Sequence, residues 1–337
     1  MHSDITQQPQ VLRDLASYYQ GGEGAARLAA LPAQAAPLFT GMGASLHAAQ
    51  VAALHLHNLD VAALAVEATD LVFYSRALLR SDGPLVFVSQ SGASAEVAAV
   101  VAELPAARAL VAVTNSPDSP LAQRAQFVLP ILAGVESGVA TKTYLNTLAT
   151  LWLLARHWNG GDSADARTLK HLADACENLI ANAEAVAARW LDTLGTAEII
   201  VFLGHGPHAA TARQASMMLA ERARVASIGT SAGAFRHGPI EITQPGIGAV
   251  VFVAAGPAGE SARALAAEMR QHGARVLLVE QGRTRDLDEP IGAVAEFDEF
   301  LAPILDILPV QLFADALARE RGVEPKFRYI GKVVTRL

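Results

Sequence analysis

One pattern occurs twice in this chain: an apolar run, a glycine-rich turn, and then a stretch whose apolar residues have helical spacing. The turn is GMGAS at residues 41–45 in the first copy and GHGPH at residues 204–208 in the second. The apolar run at residues 85–88 corresponds to residues 250–253 of the second copy. Because strands and helices of this length alternate in both copies, the sequence predicts an α/β fold of two tandem doubly wound parallel sheets.

At 337 residues, the chain is long enough for two domains with a core each. Its clearest break is NGGDS at residues 159–163, after which a segment with helical spacing runs to about residue 194. We therefore expect a long helix to join the two domains. The expected division is an N-terminal arm at 1–30 with a short helix near 11–19, a first domain at 31–160, a helical linker at 161–195, and a second domain with a C-terminal tail at 196–337.

The composition excludes several classes of partner. Hydrophobic residues make up 52% of the chain, yet no apolar run is long enough to cross a bilayer, and the N-terminus lacks the pattern of a signal peptide. The net charge of −7, without a dense Lys/Arg cluster, argues against nucleic acid or an anionic membrane as a partner. The single cysteine, Cys176, excludes an internal disulfide and is expected in a helical core. We expect a cytoplasmic protein.

The segment at residues 85–104 changes character twice. Its first four residues are apolar and predict a strand buried on both faces, and SQSG follows at residues 89–92. From Ser94 the apolar residues recur at helical spacing, with Glu96 in the first turn. Such a strand-turn-helix places N–H groups and hydroxyls at a helix N-terminus, which suits a phosphate. A turn that merely caps the helix explains the same residues equally well.

The two copies differ at this turn. The second copy has AAG at residues 254–256 where the first has SQS, so its turn lacks hydroxyl and amide groups. We therefore expect the ligand site in the first copy. Ser45, in the earlier turn, fits a helix cap and a ligand contact about equally.

Three polar residues precede the strongly apolar helix predicted at residues 144–158. Thr141 is a candidate N-cap for this helix. Glu136 and Lys142 are expected to form a solvated pair at the start of the helix.

Four motifs in a specific order resemble the sugar isomerase (SIS) domain family. They are SQSGASAEV at residues 89–97, GVATKT at 138–143, an acidic residue in the helix before a glycine-rich loop, and FRHGPIEI at 235–242. The order resembles the double-SIS isomerase half of glucosamine-6-phosphate synthase, from about residue 8 to the end but without a glutaminase domain, and also stand-alone SIS-type glucosamine-6-phosphate deaminases. The resemblance implies an enzyme that needs neither a metal nor an organic cofactor.

The resemblance also implies roles for individual residues. Glu221 matches the glutamate that moves a proton between C1 and C2 of the sugar, and His237 matches a histidine that the partner subunit of a homodimer supplies for ring opening. Lys332 matches a lysine that forms an imine with the open-chain ketose. The residues implied to hold the sugar phosphate are Gly43, Ser45, Ser89, Gln90, Ser91 and Ser94.

Other interpretations stay open for these residues. Glu221 is also explained as a surface helix residue paired with Arg222 or Arg224, and His237 as a loop histidine. Met218 stands where the synthase has a lysine implicated in handling the amine, and Met moves no proton. The C-terminal tail is two residues longer than the family's between its proline and its lysine.

These observations favour a phosphosugar aldose–ketose isomerase acting on an amino sugar phosphate. The preferred reaction is deaminating, from glucosamine 6-phosphate to fructose 6-phosphate and ammonia. A second hypothesis is plain isomerisation of another phosphosugar, or cleavage of a sugar–amine adduct. A third is a phosphosugar sensor without catalysis, although no helix-turn-helix pattern is visible in the sequence.

Overall fold

The computed structural model describes residues 1–33, 35–136, 138–289, 297–329, 331 and 333–336. The chain divides into two compact units, each with its own sheet. The N-terminal unit comprises Gln7–Asp174 and Phe327–Leu337, and the C-terminal unit comprises Met1–Thr6 and Ala175–Lys326. The two units are defined by the contacts within each of them. The domain limits expected from the sequence remain a prediction.

The sheet of the N-terminal unit has five parallel strands in the order β2-β1-β3-β4-β5. All four residues of β3 are buried, as expected for an apolar run covered on both faces of a parallel sheet. The strands are β1 (Leu38–Gly41), β2 (Leu64–Glu67), β3 (Leu85–Val88), β4 (Leu110–Thr114) and β5 (Phe127–Pro130).

Helices cover both faces of this sheet. On one face, Val97 and Val100 of α5 pack into the same apolar cluster as Phe87 of β3, together with residues of α4 and α6. Helices α3 and α7 contact each other as a separate pair. The helices in this part of the chain are α1 (His2–Tyr19), α2 (Gly22–Ala29), α3 (Ala44–Asn58), α4 (Ala68–Phe73), α5 (Ala95–Glu103), α6 (Pro120–Arg124), α7 (Lys142–Trp158) and α8 (Ser163–Ala181), with a 3-10 turn at Arg76–Arg80. The start of α1 and the end of α8 belong to the C-terminal unit.

The sheet of the C-terminal unit repeats this strand order. Read from β7, it is β7-β6-β8-β9-β10, which places β6 and β8 where the first sheet has β1 and β3. Four strands are parallel and β10 is antiparallel to β9. The strands are β6 (Ile199–Gly204), β7 (Ser227–Ser231), β8 (Ile247–Phe252), β9 (Arg275–Glu280) and β10 (Arg283–Arg285).

One helix of the C-terminal unit is buried around its whole circumference, since every residue from Ala302 to Ala318 is buried. This explains its lack of a polar face. The helices of this unit are α9 (Ala183–Leu194), α10 (Pro207–Arg222), α11 (Ala232–Arg236), α12 (Gly256–Gln271) and α13 (Ala302–Glu320), with a 3-10 turn at Pro239–Ile242.

The predicted repeat is confirmed at the level of backbone angles. Gly43, before α3, has φ 50° and ψ −124°, and Gly206, before α10, has φ 51° and ψ −124°. These angles lie in the left-handed region of φ, which only glycine adopts without strain. The predicted fold class, two tandem parallel-sheet α/β units, is therefore correct.

Several helices differ from the sequence-based expectation. Helix α1 begins at His2 rather than near residue 11, and it carries Pro9 in its interior. The segment expected as one long joining helix is two helices, α8 and α9, with Asn182 between them. Cys176 is buried, as expected. In the part of the chain that the structure describes, we find no helix long and apolar enough to cross a membrane.

The expectation of a solvated pair at the start of α7 is wrong, because Glu136 and Lys142 are each only 3% exposed. Oε1 of Glu136 accepts hydrogen bonds from the N–H groups of Thr141 and Thr143, at 2.9 and 3.2 Å, and from the Thr141 hydroxyl. Oε2 accepts one from the Thr143 hydroxyl. Nζ of Lys142 donates to Oε1 of Gln7.

Thr141 holds the N-cap position of α7 without a side-chain capping bond, so the Glu136 carboxylate caps the helix instead. The carboxylate thereby satisfies donors that the first turn of a helix leaves without an intrahelical partner. Glu136 lies six residues before Lys142, the first residue of the helix, so a search for capping residues next to the helix does not find it.

Glu136→Ala should destabilise the N-terminal unit by about 3 kcal/mol, because buried N–H and hydroxyl groups would lose their acceptor. Urea unfolding followed by circular dichroism measures this loss. Glu260→Ala is the matched control, since Glu260 is exposed on α12, and it should change the free energy of unfolding by less than about 0.5 kcal/mol. Equal stability of the two variants would contradict the capping role.

Candidate functional site

The turns that carry the predicted phosphate ligands meet at one point of the first sheet. Strands β1 and β3 are neighbours, although β2 lies between them in sequence. In an open parallel sheet, the carboxyl ends of two strands at such a reversal of strand order form a crevice where ligands bind. Residues 42–45 follow β1 and residues 89–94 follow β3, so both turns border this crevice.

The two turns are in close contact. A Cβ atom at Gly41 would lie 2.8 Å from the carbonyl oxygen of Val88 and 2.9 Å from Cβ of Ser45. Only glycine permits this approach, which brings Ser45 and the end of β3 together. The N-termini of α3 and α5 converge here, and their N–H groups and dipoles favour an anion. We call residues 43–45 and 89–94 the anion cradle.

Two serines of the anion cradle have their hydroxyl hydrogens free. Oγ of Ser89 accepts a hydrogen bond from the N–H of Gly92 at 3.1 Å, and Oγ of Ser91 accepts one from the N–H of Ala93 at 3.3 Å. Among the described residues neither hydroxyl donates to a protein acceptor. Because the accepted bonds fix the oxygens, each O–H is held ready to donate to a ligand.

The remaining polar side chains of the anion cradle are not used as caps. Ser94 is the N-cap residue of α5 but makes no side-chain capping bond. Ser45 lies inside the first turn of α3, whose N-cap is Gly43. Within the described ranges, the hydroxyls of Ser45 and Ser94 and the side-chain amide of Gln90 make no hydrogen bond to the protein. Of the two interpretations left open by the sequence, helix capping is therefore not observed for either serine.

The main chain of residues 89–94 is hydrogen-bonded to the end of β4 and to the loop that follows it. The carbonyl oxygen of Gln90 accepts from the N–H of Asn115 at 3.1 Å and from the Thr114 hydroxyl at 3.3 Å. The carbonyl oxygen of Gly92 accepts from the N–H of Leu121 at 3.0 Å. Carbonyl oxygens, which would repel an anion, are thus bonded to the neighbouring loop.

The C-terminal tail contacts the same region. The N–H of Ala95, in the first turn of α5, donates to the carbonyl oxygen of Val334 at 3.0 Å. Lys332, the predicted imine-forming residue, lies outside the described residues. Its role stays a prediction from the sequence.

Glu221 lies in the last turn of α10, in the C-terminal unit. Burial raises the pKa of its carboxyl to about 7. It makes no hydrogen bond or ion pair to the described part of the chain. The pairing considered from the sequence is not observed, because the guanidinium of Arg222 donates to Asp315 and to the carbonyl oxygen of Val323. The guanidinium of Arg224 donates to the carbonyl oxygen of Lys326 instead. A half-buried carboxyl with this pKa takes up and releases a proton near neutral pH.

His237 directly follows α11 and is exposed to solvent. The helix before it is anchored by Phe235, which is 0% exposed, and Gly238 after it has φ 132°. Met218, one turn before Glu221 on α10, is also 0% exposed. The structure thus brings the six predicted phosphate ligands together in one unit and places Glu221 and His237 in the other.

Two residues that border the anion cradle were not predicted. Oγ of Ser119 lies against the position that a Cβ atom of Gly92 would take. Asn115 bonds the turn after β3 through its main chain and the loop after β5 through its side chain. A polar residue directly after a buried strand was the available signal for Asn115. Across the described ranges, no group of three or more His, Cys, Asp or Glu side chains is placed to hold a metal ion.

Comparison with known proteins identifies one domain of the chain and several relatives. Residues 37–156, which include the whole anion cradle, match the SIS domain. The chain is 32% identical to glutamine–fructose-6-phosphate aminotransferase (isomerizing) of Pyrobaculum aerophilum, over 99% of this chain but only 57% of that protein. The chain thus spans somewhat more than half the length of this relative.

Two solved structures share the fold over nearly their whole length. Glucosamine-6-phosphate deaminase from Thermotoga maritima has a TM-score of 0.81 at 21% identity, covering 99% of this chain and 98% of that one. Tagatose-6-phosphate ketose/aldose isomerase from Escherichia coli has a TM-score of 0.82 at 20% identity, covering 97% and 95%. The chain therefore contains a SIS domain at residues 37–156, the segment that carries the first sheet.

Proposed function

We propose that this protein is a phosphosugar isomerase that acts on an amino sugar phosphate and releases its amine as ammonia. The observation that carries the proposal is the anion cradle, where serine hydroxyls and a glutamine amide that donate to no acceptor among the described residues lie at the N-termini of two helices. The match of this segment to the SIS domain, and the relative that acts as an isomerizing fructose-6-phosphate aminotransferase, support the substrate class.

The proposed reaction uses Glu221 as the proton carrier. After ring opening, its carboxylate removes the proton from C2 of the open-chain aldose and returns it to C1, while a second proton passes from the amine nitrogen to O1. The product has a hydroxyl at C1 and an imine at C2. Water then hydrolyses this imine to the ketose and ammonia. A carboxyl with a pKa of about 7 suits both directions of this transfer. We assign ring opening to His237 supplied by the partner subunit of a homodimer, in keeping with its exposed position.

Plain aldose–ketose isomerisation is the second candidate. It is favoured by the position of Met218, which offers no amine-handling group beside Glu221 on α10. The two reactions share the proton transfer and differ in the group at C2 of the substrate. Separate incubations with glucosamine 6-phosphate and with aldose phosphates that carry a hydroxyl at C2, followed by assays of ammonia and of the ketose phosphate, distinguish them. A sensor without catalysis would bind the sugar and leave the C2 hydrogen unexchanged.

Ser89→Ala and Ser91→Ala should each raise the dissociation constant for glucosamine 6-phosphate at least tenfold, since each removes a hydrogen bond to a charged group worth about 1.5–3 kcal/mol. Isothermal titration calorimetry measures the constants. Ser81→Ala is the control, because Ser81 is exposed before β3, at the opposite end of that strand. Wild-type affinity in both cradle variants would exclude the anion cradle as the phosphate site.

The rate should follow the protonation of Glu221. Its carboxylate must be free to accept the C2 proton, so kcat/KM should fall about tenfold per pH unit below pH 7 and level off above it. Glu221→Gln should abolish exchange of the C2 hydrogen with deuterated water, while the dissociation constant changes by less than about threefold. Exchange at the wild-type rate in this variant would mean that another group is the base.

Mixing two inactive variants tests the shared site. In a two-fold dimer whose sites combine Glu221 of one chain with His237 of the other, Glu221→Ala and His237→Ala homodimers each have two damaged sites. Random pairing after joint unfolding and refolding makes about half of the dimers mixed, and each mixed dimer has one intact site. Activity should therefore appear in the mixture. If refolded wild type regains activity and the mixture does not, His237 does not act across a subunit boundary.

A further inference from the structure

We propose that Asn115 is a positioning residue of the anion cradle, a role that rests on the proposed function of the cradle as a phosphate site. Asn115 directly follows β4, which pairs with β3 so that Val113 lies opposite Val88. It therefore stands beside the turn at residues 89–94 without belonging to it. Its main chain and its side chain bond two different loops at the same edge of the sheet.

The main-chain bond sets the direction of a cradle donor. The N–H of Asn115 donates to the carbonyl oxygen of Gln90 at 3.1 Å, which turns that oxygen toward β4. In a trans peptide unit, the C=O of one residue and the N–H of the next point in opposite directions. The N–H of Ser91 is thus directed away from β4, and it has no partner among the described residues. A ligand phosphate is the acceptor that this orientation suits.

The side chain of Asn115 clamps the loop after β5. Its Nδ2 donates to the carbonyl oxygen of Gly134 at 2.8 Å, and its Oδ1 accepts from the N–H of Ala133 at 2.9 Å. Two bonds from one planar amide fix both the orientation of the Asn115 side chain and its distance from the main chain of residues 133–134. Leu132 and Gly134 have φ of 50° and 64°, so the clamped loop has a conformation that is unfavourable for Leu132 without such support.

This loop is itself fixed at its far end. Two residues after Gly134, Glu136 is bonded to the first turn of α7 through Thr141 and Thr143. Hydrogen bonds therefore connect Gln90 to Asn115 and Asn115 to residues 133–134, and the main chain leads from there to Glu136, which bonds the N-terminus of α7. Asn115 is the residue that joins the anion cradle to the anchored loop.

The chemistry of the clamp requires an amide. It needs one donor and one acceptor at the end of a short side chain, which asparagine provides. Aspartate has the same shape but would place a carboxylate oxygen against the carbonyl oxygen of Gly134 and a negative charge beside the cradle. Alanine removes the clamp without adding charge.

The experiment compares Asn115→Ala and Asn115→Asp with wild type in the full chain, by calorimetric titration with inorganic phosphate and with glucosamine 6-phosphate. Asn159→Ala is the matched control, since Asn159 is exposed at the end of α7. All titrations are run well below the melting temperature of each variant, so that a loss of stability alone leaves the affinity unchanged. We expect Asn115→Ala to weaken both ligands about tenfold and Asn115→Asp to weaken them further.

The double variant Asn115→Ala, Ser91→Ala adds a test that a purely structural role would not pass. Because Asn115 acts through the turn that carries Ser91, the two effects should combine to less than their product. Fully multiplicative effects, or wild-type affinity in Asn115→Ala, would overturn the positioning role while the phosphate site stands. Failure of folded wild type to bind either ligand would instead refute the proposed function, and this inference with it.

Discussion

The strand order of the first sheet is the constraint on which the candidate site depends. Because β1 lies between β2 and β3, the connections from β1 to β2 and from β3 to β4 run in opposite directions along the sheet, which leaves a crevice at the carboxyl ends of β1 and β3. A parallel sheet also gathers the N-termini of its following helices at this same edge, so the opening is electrostatically suited to an anion before any side chain is considered. The serines add specific donors to a position that topology and helix polarity have already selected.

The serine hydroxyls of the turn after β3 act as hydrogen-bond acceptors within that turn. Ser89 and Ser91 hold backbone N–H groups of their own turn, so their oxygens are fixed while their hydrogens remain available. A ligand that accepts hydrogen bonds from these hydroxyls would complete the hydrogen bonding of both serines. The loop after β4 supports this arrangement by taking up the carbonyl oxygens of Gln90 and Gly92.

Local patterns in the sequence predicted most of the fold. Buried strands such as Leu85–Val88 are continuous apolar runs, and the glycine turns marked both copies of the repeat. Polar strand β7, whose residues are all only partly buried, has no such run and was not predicted. The cap supplied by Glu136 and the clamp made by Asn115 depend on contacts between separate loops, which spacing along the chain does not reveal. The predicted phosphate ligands did come together, because each follows a recognisable strand.

The matching backbone of Gly43 and Gly206 gives the molecule an internal reference. The chain bends identically in both places, yet Ser45 follows in one and His208, with Nδ1 2.9 Å from Asp306, in the other. The shared backbone angles are a requirement of the fold, and the side chains that follow the two glycines are free to differ. The same backbone turn therefore presents a hydroxyl in one unit and a buried imidazole paired with a carboxylate in the other, so the two units differ in side-chain chemistry at equivalent places of the fold.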